Sequence, residues 1–283
     1  MKRILITGAN SYVGGAVEKR LTAAGHAVTV LDMIGDAWRA FDFSGYDCVF
    51  HVAGIAHDIG KKKDAALYYK VNTELAIETA EKAYAANVPQ FIFMSSMLVY
   101  NGVKKRHITA DTRPKIKGCY GDSKRRADLA LQAMNGDTFK VAILRPPMIF
   151  GAGCKGNFPR LVRLAVKAPF FPKMKNYRSM LHIDNLCEFI RLLVEEGSGG
   201  LFFPQNPDYF NTSALVAEIA ALKGKRLRQS RLWNPAVWLA YPFLSAARKL
   251  FGNLTYDKHM SAHFNGAYQI AGNAESVKRS VEP

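Results

Sequence analysis

The chain has 283 residues, of which 49% are hydrophobic and 22% are charged, and its formal net charge is +16. This apolar content excludes an intrinsically disordered chain, and the sequence contains no apolar run of the length that a membrane-spanning helix needs. The basic excess favours anionic partners, but it is spread over both halves of the chain, so we expect no nucleic-acid partner.

The first residues and the cysteines indicate the compartment. The apolar run within residues 1–7 is far too short for a secretion signal, so we expect a cytoplasmic protein. The four cysteines are widely spaced and form no Cys-x-x-Cys pair. We therefore expect free thiols, with neither disulfides nor a metal site. These cysteines are Cys48, Cys119, Cys154 and Cys187.

Short apolar runs alternate with helical segments through the first half of the chain. Such alternation predicts an α/β fold with a doubly wound parallel sheet, that is, a Rossmann-type core. The link over residues 33–46 is short, so its crossover helix is expected to be clipped or absent. The predicted strands are 2–7, 27–31, 47–52, 90–94 and 139–144. The first helix is predicted to end near residue 24, and two further helices are predicted over residues 64–86 and 118–134.

The alternation changes after residue 150. Residues 158–166, 183–195 and 212–222 are predicted as helices, and Asn211 is the expected N-cap of the last. A short strand is expected near 200–203. We therefore divide the chain into a Rossmann-type core over residues 1–150 and a smaller lobe over residues 151–283 that is interleaved with the core.

A turn with two glycines follows the first predicted strand. Gly8 allows a tight turn, Gly14 lets the helix pack closely, and free N–H groups at the helix start would face a pyrophosphate. Ser11 stands where such turns usually have a middle glycine, and a turn of this kind often serves packing alone. Its place between the first strand and the first helix predicts a dinucleotide site. The turn consists of Gly8, Ala9, Asn10, Ser11, Tyr12, Val13 and Gly14.

Asp32 ends the second predicted strand. A carboxylate there can accept hydrogen bonds from the ribose diol of an adenosine. The same charge would repel a 2′-phosphate, and Met33 follows where an NADP enzyme would often place a base. The expected cofactor is therefore NAD, against the plain alternative of a solvent-facing Asp at a strand end.

Tyr120 and Lys124 are four residues apart on a predicted helix, so their side chains lie on one face. A phenol titrates at about 10, and a neighbouring ammonium favours its ionised form, which suits a general base. Ser96, just after the fourth predicted strand, can hydrogen-bond a hydroxyl or carbonyl. A lone Tyr-x-x-x-Lys pattern is common by chance, but the three residues together suit oxidation or reduction at a carbinol.

These motifs, in this order and spacing over residues 1–200, resemble the extended short-chain dehydrogenase/reductase family, particularly its nucleotide-sugar epimerases and reductases. The resemblance implies a triad in which Tyr120 transfers the proton, Lys124 binds the nicotinamide ribose and Ser96 orients the oxygen. The segments that also match are 51–54, 71–72, 95–100 and 144–147.

The resemblance also implies the binding residues. A guanidinium suits a diphosphate because its fork of donors is bidentate, and Arg178 resembles the family's phosphate-binding Arg. UDP as the nucleotide and a homodimer through the two long helices are further implications. The implied NAD contacts, beside the turn and Asp32, are Val52, Ala53, Gly54, Asn72, Pro146, Tyr120 and Lys124, with Asp42 and Phe43 near the adenine. The implied substrate contacts are Ser96, Asn157, Phe158 and Arg178.

The residues after Ser96 bear on the reaction. The family's 4,6-dehydratases need an Asp-Glu pair there, whereas this chain has Met97 and Leu98, which cannot transfer protons. Hydride chemistry at sugar C4 remains, and a UDP-sugar 4-epimerase is favoured, with a UDP-4-keto-sugar reductase as the alternative. Met148 departs from the substrate-contacting Asn of many family epimerases.

A third hypothesis is an NAD-binding scaffold that associates with RNA or with a membrane. Residues 226–251 combine arginines with Trp238, Leu239, Tyr241 and Phe243, a pattern that allows weak contact with an anionic membrane surface. The plain alternative is a pair of helices packed on the lobe with their cations in water. A scaffold would not need the triad, so this hypothesis ranks last.

Overall fold

The computed structural model describes residues 1–56, 65–240 and 243–282. Its strands are β1 (Arg3–Thr7), β2 (Ala27–Leu31), β3 (Cys48–His51), β4 (Gln90–Met94), β5 (His107–Ile108), β6 (Lys140–Leu144), β7 (Met148–Phe150), β8 (Phe170–Pro172), β9 (Met180–His182), β10 (Gly200–Phe202), β11 (Arg228–Ser230) and β12 (Thr255–Tyr256). Its helices are α1 (Tyr12–Ala23), α2 (Ala65–Tyr69), α3 (Leu75–Ala85), α4 (Cys119–Ala133), α5 (Asn157–Lys167), α6 (Ile183–Glu196), α7 (Thr212–Leu222), α8 (Asn234–Ala240), α9 (Ser245–Phe251) and α10 (Asn273–Val281).

Six parallel strands form the main sheet, in the order β10-β6-β4-β3-β1-β2. The predicted doubly wound parallel sheet is confirmed. β1 pairs with β2 on one side and with β3 on the other, so the strand order reverses at β1. In such sheets the carboxyl ends of the strands at this switch point border the crevice that binds ligands.

Helices cover both faces of the main sheet. Ile4 and Ile6 of β1 face the layer of α1 and α6, whereas Leu5 faces the layer of α3 and α4. This alternation follows from the two-residue period of a strand. Burial on both faces explains why β1, β3 and β4 are continuous apolar runs in the sequence.

The second half of the chain builds its own core and also completes the main sheet. Phe150, Phe158 and Phe210 lie at the centre of a cluster with residues of α5, α7 and α10. However, β10 pairs with β6, and α6 covers one face of the main sheet. The chain thus returns to the sheet after β7, and the division between residues 150 and 151 stays a prediction.

Several local predictions can be compared with the structure. The short link between β2 and β3 holds a single 3₁₀ turn, Ala37–Ala40, as expected. Asn211 caps α7 as predicted, since its side chain accepts a hydrogen bond from Ala214 N at 2.9 Å. The helix predicted over 64–86 is interrupted, because Lys70–Glu74 forms a π-helical turn between α2 and α3. Its first residue lies outside the described residues.

The stretch predicted to be amphipathic, residues 226–251, forms β11, the 3₁₀ turn Arg231–Trp233, α8 and α9. Tyr241 lies outside the described residues. Within the described ranges, none of the helices has both the length and the apolar character needed to cross a bilayer.

A buried ion pair joins α4 to the end of β6. Asp128 and Arg145 are 0% and 2% exposed, and Arg145 Nε lies 2.8 Å from Asp128 Oδ2. Arg145 Nη1 also donates to Tyr100 Oη at 2.7 Å, and Tyr256 Oη donates to the main-chain oxygen of Arg145 at 2.8 Å. The pair therefore connects the main sheet with the C-terminal part of the chain.

Replacing Asp128 by Ala should lower the free energy of unfolding by about 3–5 kcal/mol, because a buried guanidinium would lose its carboxylate. The control is Glu275→Ala, which breaks a pair whose side chains are 45% and 50% exposed. That loss should cost less than about 1 kcal/mol. Urea unfolding followed by circular dichroism measures both variants, and similar small losses in the two would contradict the role of the buried pair.

Candidate active site

The turn between β1 and α1 has the tight main-chain shape that the sequence predicts. Gly8 has a φ of +115°, and a Cβ there would come within 2.8 Å of Ala53 N. Only glycine fits this position without strain. Ser11, in place of the expected middle glycine, caps α1, and its Oγ accepts a hydrogen bond from Gly14 N at 3.0 Å. The substitution therefore orders the helix start, where free amides suit a pyrophosphate.

The other turn residues offer their main chain to this site. Asn10 has a left-handed φ of +62° between Gly8 and the cap. Val13 is half-buried and packs against the core under α1. The Tyr12 ring also packs inward, with its phenol beside Gly151, and burial raises its pKa. Any contact of Tyr12 with a pyrophosphate would therefore come from its amide.

Asp32 lies directly after β2, at the same edge of the sheet as the glycine turn. Gly8 N donates to Leu31 O at 2.9 Å, which holds the two segments together. The Asp32 side chain is exposed, and its Oδ1 accepts from Ile34 N at 3.0 Å. Met33 turns into the core, being 8% exposed. The carboxylate is thus oriented into solvent beside the turn, as binding a ribose diol requires.

Asp42 and Phe43 are placed less favourably for contact with an adenine. The Asp42 carboxylate accepts hydrogen bonds from Ser44 N at 2.8 Å and Ser44 Oγ at 2.6 Å, and these bonds lower its pKa. Phe43 is 1% exposed and packs in the core with Trp38. Its ring has no surface to offer a base, so a contact at this pair would depend on Asp42 and on main-chain atoms.

Asn72 joins the segment after β3 to α4. Its Oδ1 accepts from Ile55 N at 2.8 Å, and its Nδ2 donates to Ile55 O at 3.1 Å and to Ser123 Oγ at 3.2 Å. Ser123 Oγ in turn donates to Tyr120 O at 3.0 Å. Asn72 is fully buried inside the π-helical turn. Its amide is thus occupied by the protein, which makes Asn72 a positioning residue.

The segment 52–54 lies against the same group of side chains. Val52 is half-buried, Ala53 is buried and Gly54 is exposed. A Cβ on Gly54 would come within 3.0 Å of Asn72 Oδ1 and 3.1 Å of Lys124 Nζ. A side chain here would therefore crowd Asn72 and Lys124, so glycine leaves this surface open.

One face of α4 is aligned with the last residues of β4. Lys124 Nζ donates to Met94 O at 2.8 Å, and Ser95 Oγ lies 3.3 Å from Asp128 Oδ2. The hydroxyl of Ser96 is close enough to the Tyr120 phenol to act as its hydrogen-bond partner. Three residues at successive helical turns thus meet three successive residues at the strand end, which brings the predicted triad together.

Lys124 is an ammonium almost completely removed from water. It is 5% exposed, and its Nζ lies 4.7 Å from the centre of the Phe93 ring. Burial lowers its pKa from the usual 10.5 to about 8, an effect that the nearby Asp128 opposes. Burial, with the Lys124 charge as a second cause, also lowers the pKa of His51 to about 3. Burial therefore disfavours the charged form of both side chains.

The pKa of the Tyr120 phenol is subject to opposing effects. Burial raises its pKa, and the neighbouring Tyr68 does so as well, whereas the hydrogen bond with Ser96 lowers it. The rings of Tyr68 and Tyr120 are 6.1 Å apart in an edge-to-face arrangement. Ser96 also accepts a hydrogen bond from Leu98 N at 3.1 Å, so its orientation is fixed by the turn that follows it.

The turn after Ser96 is attached to the segment that follows β6. Met97 is 4% exposed and its amide donates to Pro146 O at 2.9 Å, which fixes Pro146 beside the end of β4. Leu98 is 39% exposed. Both side chains are aliphatic or thioether groups without an acidic proton, so they cannot act as an acid–base pair next to Ser96.

Of the four predicted substrate residues, Ser96 belongs to the triad, and the other three, Asn157, Phe158 and Arg178, follow residue 150. Asn157 is exposed at the start of α5, whereas Phe158 is 2% exposed in the lobe core. Arg178 is half-buried, and its Nη1 donates to Gly252 O at 3.3 Å. Phe158 thus shapes the lobe from within, and Asn157 and Arg178 are the members of this set with polar groups at the surface.

Two residues of the site were not predicted as functional, Asp128 and Ser123. Asp128 could have been found by extending the helical face of Tyr120 and Lys124 by one further turn. Ser123 has no comparable signal, because its role depends on Asn72, which is 51 residues away. Across the described ranges, no three His, Cys, Asp or Glu side chains are grouped as metal ligands would be.

Comparisons with known proteins agree with this geometry. A model of the NAD dependent epimerase/dehydratase family matches residues 4–202. A UDP-glucose 4-epimerase from Vibrio cholerae is 29% identical over 95% of this chain and 87% of its own length. An N-acetyl-α-D-glucosaminyl-diphospho-ditrans,octacis-undecaprenol 4-epimerase from Escherichia coli O157:H7 is 26% identical over 84% of this chain and 76% of its own length. The crystal structure of a dTDP-4-dehydrorhamnose reductase from Clostridium acetobutylicum shares the fold, with a TM-score of 0.78, 18% identity, and coverage of 99% of this chain and 98% of its own.

Replacing Lys124 by Met should stabilise the protein at pH 7 by about 2 kcal/mol, because the variant does not bury an ammonium. The folded pKa of about 8 lies below the usual 10.5, so wild type carries this cost below pH 8. Between these two values the unfolded chain binds more protons, and the cost disappears as the pH rises. The stability difference should therefore shrink by pH 10. Urea unfolding at both pH values measures it.

The control for this experiment is Lys19→Met at an exposed position of α1. Its stability should stay within about 0.5 kcal/mol of wild type at both pH values. A Lys124→Met protein that is less stable than wild type at pH 7, or a difference that does not change with pH, would show that the ammonium is not buried at a cost.

Proposed function

This chain belongs to the NAD dependent epimerase/dehydratase family, and we propose that it is a 4-epimerase of a nucleotide-diphosphate sugar, with a UDP-sugar as the favoured substrate. The observation that carries the proposal is the alignment of Ser96, Tyr120 and Lys124 at the carboxyl end of β4. It supplies a hydroxyl, a phenol and an ammonium, the three groups that reversible oxidation of a carbinol needs.

The residues around the switch point fit NAD. Gly8 and Gly14 form the turn for a pyrophosphate, Asp32 presents an exposed carboxylate for a ribose diol, and Gly54 leaves open surface beside Lys124. The carboxylate of Asp32 is unsuited to a 2′-phosphate, which favours NAD over NADP. When bound, the cofactor supplies an acceptor and donor of hydride and a positively charged ring in its oxidised form.

The proton is moved by Tyr120. As a phenolate it accepts the proton of the C4 hydroxyl, and it returns this proton to the same oxygen after the sugar has turned its other face. Ser96 donates to that oxygen and holds it within reach of the phenol. Lys124 holds its position through Met94 O and favours the ionised form of Tyr120 by its charge.

The substrate would extend from the triad into the lobe. Arg178 is proposed to bind the diphosphate, because it is the half-buried guanidinium next to β9, and Asn157 lies at the start of α5. The similarity to the Vibrio cholerae UDP-glucose 4-epimerase over 95% of the chain supports a UDP-sugar.

We also propose a homodimer through α3 and α4, which expose Tyr84 (56%) and Leu129 (52%).

Two neighbouring reactions can be weighed against the epimerase. A 4,6-dehydratase needs an acid–base pair after Ser96, and Met97 and Leu98 cannot supply one, so it is disfavoured. A UDP-4-keto-sugar reductase needs the same triad and remains the alternative. The similarity of the fold to a dTDP-4-dehydrorhamnose reductase does not separate the two, since the identity is 18%.

A sugar on a polyprenyl diphosphate is a second candidate substrate. The Escherichia coli O157:H7 relative is named for such a carrier. In this chain the favouring observation is that Leu232, Leu239 and Phe243 are 75–88% exposed on the segment that leads to Gly252, the hydrogen-bond partner of Arg178. The diphosphate would be the same in both substrates, and the group beyond it would differ.

The reaction is identified by product analysis with and without added NADH. An epimerase should interconvert UDP-hexoses or UDP-N-acetylhexosamines without net consumption of the cofactor, which nuclear magnetic resonance of the sugar protons detects. Stoichiometric oxidation of NADH with a UDP-4-keto sugar would establish the reductase instead. Conversion of a polyprenyl-diphosphate sugar, with UDP-sugars left unchanged, would establish the second substrate.

Replacing Tyr120 by Phe should reduce kcat by about 10²–10⁴-fold, because it removes the group that moves the proton. The ring and its contact with Tyr68 are kept, so NAD binding measured by calorimetry should remain nearly unchanged. The control is Tyr84→Phe on the exposed side of α3, which should keep wild-type kcat. Substantial residual turnover in the Tyr120→Phe protein would reject the role assigned to the phenol.

A further inference from the structure

The segment between β11 and α9 exposes six large apolar side chains that are close together in the sequence. Single exposed apolar residues are common on proteins, but a larger group marks a binding site. We call this group the 232–244 surface. Its members are 52–88% exposed and are Leu232, Trp233, Trp238, Leu239, Phe243 and Leu244.

The backbone of this segment is anchored to the lobe at both ends. At one end β11 pairs with β8, and Asn234 Nδ2 donates to Lys173 O at 3.1 Å. At the other end Leu250 and Phe251 pack in the lobe core, with the Phe251 ring 5.6 Å from that of Phe171. The segment is therefore attached to the lobe at both ends, and the six side chains of the 232–244 surface lie exposed between these attachments.

The charged residues in this part of the sequence are all basic. Between residues 219 and 256 the sequence has seven Lys or Arg and neither Asp nor Glu. Arg226, Arg228 and Arg231 are exposed at the start of the segment. Cations that border an apolar face of Trp, Phe and Leu are the composition that binds an anionic membrane surface.

We propose that the 232–244 surface docks onto the anionic surface of a lipid bilayer, with its apolar side chains among the acyl chains and its arginines at the headgroups. This inference goes beyond the proposed reaction and does not depend on which sugar is converted.

The charge and composition favour a bilayer over the other occupants of such a face. In a symmetric pair of copies the same patch meets itself, so the cations of the two copies would be brought together without acidic partners on this segment. RNA would pair with the arginines and stack on the tryptophans, but it would leave the aliphatic side chains of Leu232 and Leu239 without a binding partner. A bilayer takes both kinds of group at once.

The surface is joined to the proposed diphosphate site. Arg178 Nη1 donates to Gly252 O at 3.3 Å, and Leu254 N donates to Tyr177 O at 3.0 Å. The residues that follow α9 are therefore fixed against the segment that carries Arg178 and leads into β9. A protein docked through this surface would hold its lobe, and Arg178 with it, near the headgroups.

The test uses the full chain with vesicles of phosphatidylcholine alone or with 30 mol% phosphatidylglycerol (about a third of the lipid, an ordinary anionic content). The chain has three tryptophans, and Trp38 is 2% exposed in the core. Insertion should therefore shift the emission of Trp233 and Trp238 to shorter wavelengths. We expect this shift and co-sedimentation with the anionic vesicles at low salt, and weaker binding at high salt.

Two variants separate the apolar contribution from the charge. Leu232→Ser with Phe243→Ser should weaken binding by about tenfold or more, and so should Arg226→Glu with Arg231→Glu. The matched control is Ile270→Ser, an apolar residue that is 46% exposed elsewhere on the lobe and should bind as wild type does. Circular dichroism and NAD binding establish that each variant is folded.

Three outcomes would overturn the proposal. One is a wild-type protein that does not bind anionic vesicles at low salt. Another is binding that the Leu232→Ser, Phe243→Ser variant retains in full. The third is self-association in analytical ultracentrifugation that this variant abolishes, without vesicle binding, which would make the surface an interface between copies. Vesicle binding is measured without substrate, so it can fail or succeed independently of the epimerase assay.

Discussion

The candidate active site depends on the register between α4 and the end of β4. Tyr120, Lys124 and Asp128 occupy successive turns of one helix face, and they meet Ser96, Met94 and Ser95 of the strand end. A shift of one residue along either element would separate all three contacts. The register is fixed below the site by the buried pair of Asp128 and Arg145, which holds the helix to β6. The same face of α4 thus carries both the residue that anchors the helix, Asp128, and two candidate catalytic residues, Tyr120 and Lys124.

This arrangement stores an electrostatic cost at the site. Burial disfavours the ammonium of Lys124 and lowers its pKa, and burial also disfavours the phenolate of Tyr120 and raises its pKa. The two effects oppose the ion pair that proton transfer needs. A positive charge brought next to Tyr120 would favour its phenolate and relieve part of this conflict. Local costs of this kind are common at sites that must perform chemistry.

The sequence predicts the parallel sheet and the shared helix face of Tyr120 and Lys124 well, because both follow from short-range periodicity. Strands such as β4 are continuous apolar runs, and Tyr120 and Lys124 share a face through helical spacing alone. Predictions that depend on distant contacts are less complete. The burial of Phe43 depends on its packing with Trp38, the π-helical turn around Asn72 depends on Ile55 and Ser123, and the pairing of β10 with β6 brings a strand back from the second half of the chain. None of these is encoded in a local pattern.

The two halves of the chain are coupled through main-chain contacts rather than through a hinge. Tyr256 Oη donates to Arg145 O, and Ser179 Oγ accepts from Tyr256 N at 2.9 Å, so the strand after Arg178 is tied to the residue that anchors α4. Gly252 and Leu254 continue this connection to the 232–244 surface. A few hydrogen bonds thus connect the 232–244 surface with the proposed diphosphate site and with the residue that anchors α4. Docking through that surface would therefore bring the proposed diphosphate site close to the membrane.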